Sequence, residues 1–136
     1  MATSPMNAVQ AALYTAITGI SGLGASVYDH VPQNASMPYV RIGMDTTANN
    51  DAKATFMPLI EATIHVWSLS AGSKEAKTIA GKIYTALHRT SALSVTGFNV
   101  TECYCTFQTL MVESSHDGGD KYQHLVQRFT IQLTES

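Results

Sequence analysis

Charge is scarce in this chain. Asp, Glu, Lys and Arg make up 13% of its 136 residues, about half the share of roughly 25% in ordinary soluble domains. A small domain so poor in charge either carries a Ser/Thr/Asn/Gln-rich surface or has much of its surface covered by another subunit. Nor is there a basic excess: eight Lys and Arg stand against ten Asp and Glu, for a net charge of −2. Phosphate neutralisation supplies most of a nucleic-acid binder's affinity, so tight DNA or RNA binding is disfavoured, as is attachment to an anionic membrane. No apolar stretch approaches the ~20 residues of a membrane span. Met1 to Gln10 lacks a basic segment followed by an apolar run, so no signal peptide is expected. With only two cysteines, synthesis in a reducing cytoplasm is the expectation. The apolar content of 45% is ordinary. A chain of this length can bury roughly two-thirds of its unfolded surface, so residues 1–136 are expected to fold as one domain without disulfide, metal or cofactor.

Catalytic signatures are equally sparse. The P-loop pattern and the H-E-x-x-H zinc pattern are missing, and Gly19, Gly22 and Gly24 follow a helix rather than a strand, as a dinucleotide fingerprint would not. There is no nucleophile elbow, and the ten acidic residues are dispersed with no glycosidase-like pair assignable. The five histidines are His30, His65, His88, His116 and His124, and no two have helical metal-ligand spacing. Cys103 and Cys105 lie two apart, so on a strand they share one side. They could offer half of a soft-metal site, but free cysteine is among the most commonly buried residues and a core role is the plainer reading. The expectation is therefore no enzyme, no catalytic residue and no metal.

What is present reads as α+β. Val9, Ala12, Leu13, Ala16 and Ile17 form a helical stripe, with Ser4 as candidate cap, Pro5 in the first turn, and the three glycines ending it. Ser26 to Val31 is a short extended piece stopped by Pro32, and Pro38 opens a strand from Tyr39 to Met44. Thr46 to Thr55 is polar and aperiodic and reads as a long loop. Leu59 to Leu69 is a strand whose Ala62, Ile64 and Val66 face one way and Glu61, Thr63, His65 and Trp67 the other. After Gly72, Ser73 is expected to cap a second helix with Ala76, Ile79, Ala80, Ile83 and Leu87 as its buried stripe and Lys74, Lys77 and Lys82 in water. His88 and Arg89 suit its negative end. Phe98 to Glu113 and Tyr122 to Thr134 are strands joined through a loop at Asp117 to Asp120, and the latter has an apolar face of Leu125, Phe129, Ile131 and Leu133. The expected architecture is a mainly antiparallel sheet of four to five strands, with both amphipathic helices on one face. The other face is neither dry core nor fully polar. Trp67 is costly to leave in water, and a subunit contact there would cover it.

Three blocks taken together carry a resemblance. They are Val27-Tyr28-Asp29-His30-Val31-Pro32 with Met37-Pro38-Tyr39-Val40, then Ile64-His65-Val66-Trp67-Ser68 with Ser73-Lys74-Glu75-Ala76-Lys77 and Ala86-Leu87, and last Val126-Gln127-Arg128-Phe129-Thr130-Ile131. With Ala11-Ala12-Leu13-Tyr14 of the first helix, the chain resembles the tail-completion (tail-terminator) family of long-tailed bacteriophages and gene transfer agents over nearly its whole length. The resemblance implies a virion protein without catalytic residues. Such a subunit forms a ring, commonly a hexamer, on the head-proximal end of the tail tube. The ring ends tube growth and docks the head connector or stopper, and DNA passes through without specific binding. Candidate contact residues are Asn49, Asn50, Asp51 and Lys53 in the polar loop and His65 and Trp67 on the open face. The alternatives are a head-closure stopper, a tail-tube subunit, or a small ligand- or metal-binding enzyme using His65, His124 or the two cysteines.

Overall fold

The computed structural model describes residues 4–49, 51, 56–69, 73–90, 93–114 and 121–136. Helix α1 spans Met6–Thr18 and α2 spans Lys74–Leu87. The strands are β1 (Ser26–Tyr28), β2 (Tyr39–Asn49), β3 (Pro58–Ser68), β4 (Phe98–Ser114) and β5 (Lys121–Glu135). They form one sheet in the order β1-β2-β3-β5-β4. Only the β1–β2 pairing is parallel. The α+β architecture, the strand number and the mainly antiparallel sheet are as expected.

One sheet face holds the core. On β3 the alternation puts Ile60, Ala62, Ile64 and Val66 inward, all fully buried, and β5 continues the same layer. Ala62 lies opposite Phe129, Ile60 opposite Ile131 and Val66 opposite Leu125. Helix α2 lays its Ala76–Ile79–Ala80–Ile83–Leu87 stripe over β3, β5 and β4, while α1 covers β1 and β2 with Val9, Leu13 and Ile17. Both helices thus sit on one face because each has a single apolar stripe and the sheet a single apolar side.

Several local expectations need correction. Helix α1 starts one residue later than the sequence suggests, so its cap position falls on Pro5 rather than Ser4. Pro5 offers no side-chain acceptor, and its carbonyl takes the Val9 N–H at 2.9 Å. Ser73 does hold the cap position of α2, but it sits at φ −82°, ψ −5° and makes no side-chain cap bond. A capping hydroxyl reaches its amide from extended backbone, which Ser73 does not adopt. Instead Glu75 accepts a 2.6 Å bond from Ser68 Oγ, fastening the end of β3 to the start of α2. Strand β1 stops at Tyr28, short of Val31. The segment read as a loop from Thr46 is strand through Asn49, since a bulge between Gly43 and Thr46 lets β2 resume pairing, down to Asn49 opposite Pro58. A bulge breaks the period of two, which is why the segment looked aperiodic. Gly72, Thr55 and the Asp117–Asp120 turn lie outside the described residues. β4 and β5 pair up to Ser114 opposite Lys121.

Candidate functional site

The sheet face away from the helices is open, and its side chains come from alternate positions of four strands. One row across it is Tyr39, Trp67, His124 and Met111, which are register partners in turn. The next row is Arg41, His65, Val126 and Thr109. Below it lie Gly43, Thr63, Arg128 and Phe107. Apolar and polar groups alternate over the surface, as the sequence pattern of β3 and β5 indicates.

Trp67 is half-buried. Its ring stacks on His124 with centroids 3.7 Å apart and planes 11° apart, and Tyr39 flanks it at 6.4 Å. Much of the cost of placing tryptophan on an open face is therefore met within the subunit. His124 also meets His65, with His65 Nδ1 2.8 Å from His124 Nε2. A single N–H must lie between those nitrogens, because two neutral imidazoles share one donor there. Glu113 Oε2 stands 3.4 Å from His124 Nδ1. That carboxylate favours the proton on Nδ1, leaves His124 Nε2 as acceptor, and makes His65 donate from Nδ1. Glu113 thus faces His124 and His124 faces His65, while His65 Nε2 and His124 Nδ1 are both buried without a hydrogen-bond partner among the described residues. Burial lowers the pKa of both histidines; His124 and Arg41 lower that of His65 further, while Glu113 pulls that of His124 back up. The pair is held neutral. This chain of Glu113, His124 and His65 was not visible in the sequence, because Trp67 opposite His124 and His124 opposite Met111 are facts of register alone. Lower on the face, Arg128 lies 5.4 Å over the Phe107 ring and 3.4 Å from Glu61.

The other candidate residues are elsewhere. Asn49 and Asp51 stand at the far end of the sheet, and Asn50 and Lys53 lie outside the described residues. Asp51 accepts the Met57 N–H at 2.7 Å, and its own N–H donates to Asn49 Oδ1 at 2.8 Å, so these two side chains shape the β2–β3 connection. From Pro58 to Trp67 is nine strand steps, roughly 30 Å. His65 and Trp67 thus form one group and Asn49 and Asp51 another, at opposite ends of β3.

Cys103 and Cys105 do share a side, opposite Ile131 and Phe129 on the helix face. Cys103 is buried and Cys105 half-buried. Burial pushes the Cys103 thiol up to about 11 and also raises Cys105. A thiol so disfavoured as thiolate suits the core reading. Among the described residues no three His, Cys, Asp or Glu side chains converge as a metal site. A groove of about 590 Å³ between α2 and β4 is lined by Lys77, Ala80, Gly81, Tyr84, Gln108 and Leu110, among others.

The molecule is thus a two-layer α+β protein whose distinctive surface is an open, half-apolar sheet face, and whose polar clusters order side chains. That is the character of a protein made for contact with other proteins. The chain belongs to the tail completion protein gp17 family, whose pattern matches residues 7–133, and is a structural protein of the phage tail. A chain from the solved structure titled "Virion of native gene transfer agent (GTA) particle" superposes with a TM-score of 0.81 at 20% identity, over 98% of this chain and 99% of that one. At that identity the likeness is one of fold. No curated protein matches this chain by sequence.

Proposed function

We propose that the chain is the subunit of a closed ring, commonly of six copies in proteins it resembles, seated on the head-facing end of the tail tube. The ring ends tube growth and joins the tail to the head's connector or stopper, acting by contact and not by catalysis. Family membership across 7–133 carries this reading. The open sheet face supports it, and so does the placement of candidate contact residues at both ends of β3. An adaptor between two different neighbours needs two separate contact regions, and the Asn49, Asn50, Asp51 and Lys53 segment is proposed as one of them. His65 and Trp67 are proposed to lie at or under a subunit contact. The net charge of −2 suits a passage that lets DNA slide without gripping it. Assembly would take place in the host cytoplasm.

Light-scattering mass over a concentration series, with negative-stain imaging of the same sample and of the protein mixed with purified tail tubes, tests the reading. A ring of one size, free or capping the tube end, is expected. Filaments that lengthen with concentration would mark a tube subunit instead. Failure to bind tubes at all would overturn the terminator reading.

A further inference from the structure

The sheet ends in two unlike edges. Strand β4 forms one, and half of it is closed. Bulges interrupt it between Val100 and Glu102 and between Cys105 and Phe107. The turn after α2 blocks the same stretch: Arg89 N–H donates to the Cys103 carbonyl at 2.6 Å, and Cys105 N–H donates to His88 Nδ1 at 3.0 Å. From Gln108 to Ser114 the strand pairs one-to-one with β5 without a bulge, and among the described residues no strand lies on its outer side. Four of the seven exposed large apolar side chains of the described residues, Tyr104, Phe107, Met111 and Val112, belong to β4. Natural edge strands are usually blunted by Lys, Pro or inward charge. This half of β4 has no Lys, Arg or Pro, and Glu113 is its sole charge.

The opposite edge is stepped. β1 pairs only with Tyr39, Val40 and Arg41 of β2, so among the described residues β2 from Ile42 to Asn49 has no strand on that side. The directions also agree. β2 and β5 run one way, β3 and β4 the other. A second copy set beside the first in the same up-down sense therefore brings its β1–β2 edge antiparallel to β4.

We propose that a second copy of this chain pairs its β1–β2 edge, antiparallel, with the Gln108–Ser114 half of β4. The proposal rests on the ring reading and specifies the contact within it. A head-to-tail contact uses one edge of each kind per subunit, and when the ring closes no edge is left open. A peptide or a two-fold β4–β4 contact would leave the second edge exposed in every copy.

Hydrogen exchange read by mass spectrometry on the full chain, dilute and up to roughly 1 mM, where even a 4 kcal/mol contact is half-formed, tests it. Light scattering reports the mass of each sample. Exchange in Gln108–Ser114 and in the β1–β2 edge is expected to slow at least tenfold on assembly, while Val100–Cys105 stays unchanged. Val112 is 59% exposed, so Val112→Lys should leave the melting temperature of the monomer unchanged and raise the concentration needed for assembly at least tenfold. Assembly without new protection at either edge, or undiminished assembly of Val112→Lys, overturns the edge pairing and leaves the ring reading standing. Protection confined to β4 in a species that stops at two copies also overturns it, in favour of the two-fold contact. A chain monomeric at every concentration and unable to bind tail tubes overturns both.

Discussion

Gln127 is wholly buried in the middle of β5. Its Nε2 donates to the Ala80 carbonyl of α2 at 2.9 Å and to Gln108 Oε1 of β4 at 2.8 Å. One amide thus ties a helix and an edge strand to the strand between them. Gln127→Met keeps the volume and removes both bonds, and chemical denaturation should show a loss of about 1–2 kcal/mol. The histidine pair gives a pH signature. In the folded chain both imidazoles hold protons less readily than at their ordinary value of 6.5. The unfolded chain therefore takes up more protons below that value, and stability falls as pH drops from about 6.5 towards the lowered folded values. Melting curves from pH 8 to 5 should show this decline, and the double variant His65→Gln/His124→Gln should flatten it. A slope unchanged in that variant would assign the decline to other groups. The two thiols should separate in alkylation experiments followed by mass spectrometry. Half-buried Cys105 reacts first, and Cys103, buried and raised to about 11, reacts only as the chain unfolds.

At the level of elements, the strands and helices with an intact period were legible in the sequence. The stripe Ala76–Leu87, the alternation Ala62–Ile64–Val66 and the face Leu125–Phe129–Ile131–Leu133 are each set by which side is dry. They account for α2, β3, β5 and their common face. The extent of β2 was not legible, because its bulge after Gly43 inverts the alternation just where Asp45, Thr46 and Thr47 look like loop. The caps differ for another reason: α1 places its cap at Pro5, one residue past Ser4, and Ser73 holds the cap position of α2 without a side-chain cap bond. Of the open face, His65 and Trp67 were legible as outward residues, whereas His124 and Glu113 joined them only through the register of β5 against β3 and β4. Phe129 has no exposed surface and faces Ala62 across the strand pair. Phe129→Ala should cost about 3–5 kcal/mol, read as a lowered denaturation midpoint with loss of any assembly. Gly22 and Gly24 sit at φ +70° and +78° in the turn after α1. Gly22→Ala should cost on the order of 1 kcal/mol from backbone strain alone.

At the scale of the whole molecule, Asn49 and Asp51 lie at the other end of β3 from His65 and Trp67, so the two contacts proposed above are expected to be lost separately. Replacing Asn49–Lys53 by a Gly/Ser linker should abolish head-to-tail joining while the ring still forms. Trp67→Ala is expected to weaken ring formation by at least tenfold while circular dichroism still reports a folded monomer. Normal joining in the first case, or intact rings in the second, would remove those residues from the proposed contacts.

The bulges also bear on shape. The two inner strands, β3 and β5, pair without a slip. The outer strand β4 carries two extra residues against β5, and β2 carries one against β3. The strands on both sides of the β3–β5 pair therefore carry extra residues. Each extra residue adds local twist and bend. Bulges on both sides of the β3–β5 pair thus bias the sheet towards bending before any neighbour is present.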